Sequence, residues 1–168
     1  MKIYWVNGLM ILTWFIIVSN ATGQNYRWIY KKVKRLELIN KEFRSILDSL
    51  VKVEIKCGNY NPDKNFFWSI YFKKYNNNKE KYTDLIEVTF VSGFDDTAKI
   101  MGYFEINGVT FILWGEYIHP DFFLETGDTK VLKSKYSDPR PEDYSIWFYG
   151  YSNGQIYRGK SYQLPCDN

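Results

Sequence analysis

One stretch, Phe66-Phe67-Trp68-Ser69-Ile70-Tyr71-Phe72, limits what this chain can become. Side chains alternate along a strand, so Phe66, Trp68, Ile70 and Phe72 share one side and Phe67, Ser69 and Tyr71 the other. Both sides are apolar. A sheet with one face in water alternates apolar with polar residues, and this segment does not. The same holds for Phe111, Leu113 and Tyr117 against Ile112, Trp114 and Ile118. It holds again for Ile146 and Phe148 against Trp147, Tyr149 and Tyr151. The sequence therefore predicts a sheet that needs cover on two faces. Aromatic residues make up 20% of the chain, so rings must supply much of that cover.

One cover is predicted near the N-terminus. Ile29, Val33, Leu36, Ile39, Phe43, Ile46, Leu47 and Leu50 keep the three-and-four spacing of a helix face. Lys32, Lys34, Arg35, Glu37, Lys41 and Glu42 then become its wet side, which absorbs the early basic cluster. Val51 to Cys57 alternates strictly and reads as a strand. Further strands are expected at 66–75, 85–91, 99–106, 109–118, 145–151 and 155–162. Asn107-Gly108 and Asn153-Gly154 mark hairpins between the flanking runs. Residues 119–144 carry Pro120, Gly127, Pro139 and Pro141 and read as a long irregular connection.

The fold expected from these elements is α+β: an N-terminal amphipathic helix packed on a curved antiparallel sheet built from sequential hairpins. In element order alone this resembles cystatin-like and NTF2-like folds, with no residue motif of either family. With one helix on one face, the second face is left for the 119–144 connection, which brings Phe122, Phe123, Leu124, Val131 and Leu132, or for a partner molecule.

The start of the chain has a different character. Lys2 precedes the apolar run Leu9–Val18, and the small residues of Ala21-Thr22-Gly23 follow. This is the pattern of an export signal cleaved before Gln24. The run falls short of the roughly 20 residues of a membrane span. The expected organisation is a signal peptide over 1–23 and a single domain over 24–168, in the periplasm, at the cell surface or outside the cell. An anchor retained in the membrane is the rival. Export gives Cys57 and Cys166 a meaning, since an even number of thiols in an oxidising compartment pairs.

Chemistry is sparse. His119 is the only histidine, and with Glu116 and Asp121 it makes at most half a metal or acid–base site. The carboxylate pairs Asp95-Asp96 and Glu142-Asp143 fit turns equally well. No phosphate loop, nucleophile elbow or zinc spacing is present. The sequence names no catalytic residue, no metal and no cofactor. A formal charge of +3 is too small to argue for nucleic acid.

The function expected is that of an exported, non-catalytic binding protein of the inhibitor or immunity type. It would engage a protein through an aromatic sheet face and the 119–144 loop. The candidate binding residues are Tyr71, Trp114, Tyr117, Trp147, Tyr149, Tyr151 and, in the stiff loop, Arg140. Trp114 and Trp147 are expected near one another and partly exposed. The alternatives are an accessory subunit of an envelope or secretion complex, a glycan-binding module, and a small pocket enzyme using His119. No stable membrane insertion is expected once the signal is removed.

Overall fold

The computed structural model describes residues 28–61, 67–75, 81–91, 93–94, 97–135 and 145–166. In chain order its elements are β1 (Trp28–Leu38), α1 (Lys41–Lys56), β2 (Phe67–Lys74), β3 (Asp84–Val91), β4 (Ile100–Ile106), β5 (Val109–Gly115), β6 (Phe123–Lys135), β7 (Ile146–Ser152) and β8 (Gln155–Tyr162). The eight strands form a single sheet in the order β6-β1-β4-β5-β2-β3-β7-β8. The export segment and Arg140 lie outside the described residues, as do Asp95-Asp96 and Glu142-Asp143.

Both Asn-Gly hairpins form, β4–β5 and β7–β8. Asn107 and Gly108 have φ of 50° and 81°, and Asn153 and Gly154 have 51° and 80°. Two successive positive φ values make the turn whose twist matches paired strands, which only Asn and Gly adopt at low cost.

The α+β expectation is corrected in four places. The first is the start. The predicted helix from Ile29 is a strand as far as Leu38, and α1 begins at Lys41. In β1, Ile29 and Val33 point inward with half-buried Lys31 between them, and a register break between Lys34 and Leu36 then shifts the phase. Leu36 and Leu38 follow inward on the new phase. Two period-2 runs joined by a bulge imitate the three-and-four spacing of a helix. The basic cluster therefore lies on a strand.

The second correction concerns Val51–Cys57, which continues α1 to Lys56 and is no strand. The alternation there is misleading. Val53 and Ile55 are exposed while Glu54 is buried, so burial at Leu47, Leu50, Val51 and Glu54 keeps the helical period. Asn40 caps the first turn, its side-chain oxygen accepting from the Phe43 amide at 2.9 Å.

Third, the sheet is mixed. β1 runs parallel to β4 and β2 parallel to β5, which sequential hairpins alone do not produce. Fourth, the 119–144 connection contains β6, a strand of 13 residues at the sheet's edge. Its middle, Glu125 to Val131, is wholly exposed, so it has no apolar alternation to betray it. The analogy of element order with cystatin-like and NTF2-like folds falls with these corrections.

The helix covers one sheet face. Phe43, Leu47 and Leu50 pack on Trp68, Ile70 and Phe72 of β2, Ile86 and Val88 of β3, Phe111 and Leu113 of β5, and Trp147 of β7. Trp68 and Trp147 stack with ring centroids 5.5 Å apart. Beyond α1, Cys57 is bonded to Cys166 as the sequence expects, tying the helix end to the tail behind β8.

Candidate functional site

Two regions bring together what the sequence singled out. The first lies at one end of the sheet on the helix side. Asp84 opens β3, and the register places it between Lys74 of β2 and Tyr151 of β7. Its side chain is 3% exposed. Thr83 Oγ1 donates to Asp84 Oδ2 at 2.6 Å, Lys74 Nζ lies 2.9 Å from Oδ1, and the Tyr117 hydroxyl donates to Oδ1. Burial alone would push the Asp84 carboxyl up. The bonds from Thr83, Tyr117 and Lys74 outweigh it and hold the group below its ordinary value. Burial, with the same contact, pushes the Tyr117 phenol up.

His119 sits beside this acid, buried among Phe72, Phe122 and Tyr151. Burial lowers its pKa, with Asp84 and Asp121 pulling part of the way back, so the ring is neutral at pH 7. Nδ1 accepts the Asp121 amide at 3.2 Å. The proton of the neutral ring therefore stays on Nε2, which faces Asp84 Oδ2 at 3.8 Å. A ring with its one lone pair engaged is not a base in waiting. Asp121 accepts from the Tyr151 hydroxyl at 2.7 Å, and burial with that bond pushes the Tyr151 phenol up to about 12. Glu116, which the sequence placed with His119, is exposed. Among the described residues no group of three His, Cys, Asp or Glu side chains could hold a metal ion. The cluster is a satisfied polar knot joining β2, β3, β7 and the segment after β5.

The second region is the face turned away from α1. β1 and β6 form a ribbon that folds over part of it. Ile29, Val33 and Leu132 pack there on Phe67, Tyr103 and Ile112, with Phe94 beside them. Past the ribbon the face continues over β2, β3 and β7. There Ser69, Tyr71, Leu85, Glu87, Thr89, Ile146 and Phe148 are neither buried nor fully exposed. A groove of about 690 Å³ opens among Tyr75, Tyr82, Leu85, Phe148, Gly150 and β8. Tyr82 lies so close over Gly150 that a Cβ there would stand 2.3 Å from its ring. Only glycine lets that tyrosine come so close to β7.

The candidate binding residues divide between these regions. Tyr71 and Trp114 are register partners on the face away from α1, both half-buried. Trp147, Tyr149 and Tyr151 are buried on the helix side, and Tyr117 is tied to Asp84. Trp114 and Trp147 therefore do not form one patch; the sheet separates them. Sequence reasoning missed Glu87 and Asp84, because each gains its setting from strand register and not from its neighbours in the chain. Glu87 lies opposite Tyr71 on one side and Phe148 on the other. That register puts Cβ atoms about 5 Å apart. Burial pushes its carboxyl up.

Comparison with protein-family models, with curated proteins and with solved structures finds no match for this chain.

The burial pattern sets an optical expectation. Trp68 and Trp147 are 0% exposed, whereas Trp28 is 43% exposed. Acrylamide is expected to quench Trp28 readily and Trp114 partially, and to leave Trp68 and Trp147 protected. In protein lacking residues 1–23, which carry Trp5 and Trp14, substituting Trp28 with Phe should remove most of the readily quenched fraction. Uniform quenching of all indoles would contradict the packing of Trp68 on Trp147.

Proposed function

We propose that this is an exported, non-catalytic binding protein of the inhibitor or immunity type. It docks another protein on the part of the second face that the β1–β6 ribbon leaves open. The observation that carries this is the setting of Glu87: a half-buried carboxylate on a face with Tyr71, Leu85 and Phe148. An acid framed by rings suits a cationic side chain, which gains an ion pair and aromatic faces together. Tyrosine and tryptophan are the residues that anchor protein interfaces, since they bury large apolar area and keep a polar tip. The polar knot at His119 argues against a general base there, because the ring's one lone pair already accepts the Asp121 amide. The export pattern and the disulfide support a site outside the cytoplasm.

The test places a photo-crosslinking side chain at Phe148 and, as a control, at exposed Glu116, in the protein as its producing cell accumulates it. One stoichiometric protein adduct is expected from Phe148 and none from Glu116. Glu87→Gln should weaken that complex about 30-fold, the range for a buried charged contact. It should not weaken folding: burial raises this carboxyl, so at neutral pH the ionised form costs stability that glutamine does not. Equal adducts at both positions, or full binding by Glu87→Gln, would defeat the proposal. Retention on a glycan array, competed by free sugar, would replace the protein partner with a glycan.

A further inference from the structure

The corrected start of the chain creates a surface that the helix reading hid. In the first half of β1, Ile29 and Val33 point into the ribbon's inner cluster, as does Leu132 of β6. By alternation Trp28, Tyr30 and Lys32 point outward, and Val131 and Lys133 join them from β6 through the pairs Lys32↔Val131 and Tyr30↔Lys133. An outer face of an edge ribbon should be polar. Here Trp28 is 43%, Tyr30 60% and Val131 58% exposed. Lys133 Nζ stands 3.9 Å from the centre of the Trp28 ring and 5.9 Å from that of Tyr30. No acid occupies the outward positions of this half among the described residues. Beyond the Lys34↔Thr129 pair, Asp128 stands exposed and Glu125 pairs with Lys34 at 2.9 Å.

We infer that this outer ribbon face lies on a membrane surface rich in anionic lipid. Tryptophan and tyrosine settle at headgroup depth, where the ring is half in hydrocarbon and its polar tip stays wet. Lysines beside them meet the lipid phosphates, and the valine adds apolar area between the two. An acidic protein would also have to bring apolar side chains to cover Trp28, Tyr30 and Val131, whereas anionic lipid supplies charge and hydrocarbon together. The position of the patch in the chain argues the same way. Trp28 begins β1 only nine residues, 19–27, after the apolar run ending at Val18. Fully extended, such a link reaches about 30 Å. The strand that carries Trp28 and Tyr30 is thus the described element nearest in the chain to that apolar run. It is the opposite side of the ribbon from the face that shares the open sheet with Glu87, so this inference stands apart from the proposed protein site.

The experiment measures binding of the protein, in the form its producing cell accumulates, to two sets of vesicles. One set is phosphatidylcholine alone and the other contains one quarter phosphatidylglycerol. At least tenfold tighter binding to the anionic vesicles is expected, with a blue shift of tryptophan emission that Trp28→Phe removes. Lys32→Glu with Lys133→Glu should abolish the preference, since each lysine lost weakens binding about fivefold. Both are exposed side chains, and an unchanged circular dichroism spectrum confirms that the variant is folded. Equal binding to both vesicles, binding to neither, or a preference that survives the double substitution overturns the inference. So does binding to soluble polyglutamate with none to the anionic vesicles, which would assign the patch to an acidic protein.

Discussion

Replacing Asp84 with alanine is expected to remove about 3–5 kcal/mol of folding stability, a large part of what a domain of this size possesses. The estimate follows from what the carboxylate holds. Thr83 and Tyr117 each donate to it from partly buried positions. A hydrogen bond to a charged group contributes about 1.5–3 kcal/mol. Lys74 adds little, because its side chain is 56% exposed and water takes over its charge. In urea the midpoint should fall by about 2 M, given a slope of about 2 kcal/mol/M for chains of this length. A loss below about 1 kcal/mol would mean that the knot is ornamental and that apolar packing alone holds this end of the sheet. The pH dependence has a definite sign. The folded chain holds Asp84 below its ordinary value, so the unfolded chain takes up the proton first. Its contribution is full above about pH 4 and disappears as pH falls through the folded value. His119 is also held low, so its share of stability starts to erode below about pH 6.5, before Asp84 titrates. The gap between the wild type and Asp84→Asn should therefore narrow only in strong acid, while His119→Gln should flatten the slope at milder pH.

Why was so little of this knot legible in the sequence, when both hairpins were? An Asn-Gly turn is a local instruction: two residues that accept positive φ, between runs that pair as soon as the turn closes. The two-faced strands were legible for a related reason, since alternation along β2 fixes which side each ring takes. The division of Phe67 from Trp68, Ile70 and Phe72 is the one the two apolar clusters show. Asp84 belongs to no local pattern. It acquires Lys74 and Tyr151 through the order in which β2, β3 and β7 pair, and acquires Tyr117 from the segment after β5. Glu87 gains its aromatic frame in the same way. The errors at β1 and α1 have another origin. A bulge placed two strand phases at helical spacing, and β-branched Val53 and Ile55 on the wet side of α1 imitated a strand. Periodicity reports which residues are apolar. In these two segments burial followed the backbone, and the pattern of residue types did not.

Removing the bond between Cys57 and Cys166 is the second large effect, and here the unfolded chain is where the energy lies. The two residues are 109 apart in sequence. Closing a loop of that length lowers the entropy of the unfolded ensemble enough to stabilise the fold by about 4–5 kcal/mol in the chain-entropy model. Native disulfides give about 2–5 kcal/mol when deleted, so a loss near 4 kcal/mol is expected for Cys57→Ser with Cys166→Ser. The folded state has a reserve at this point. The Leu164 amide donates to Ser145 Oγ at 3.1 Å, and Ser145 Oγ donates to buried Glu54 at 3.2 Å, so the tail keeps a hold on α1 without the sulfurs. The variant should therefore fold to the same sheet, with an unchanged far-ultraviolet spectrum and a lower urea midpoint. Hydrogen exchange should rise first at Leu164. Wild-type protein unfolded in the presence of a reductant should show the same midpoint as the double variant, because in both the chain is released. If instead reduction left the midpoint where it was, the unfolded chain would already be holding its ends together. The clamp would then act only on the tail, and hydrogen exchange at Leu164 would be the one signal to move.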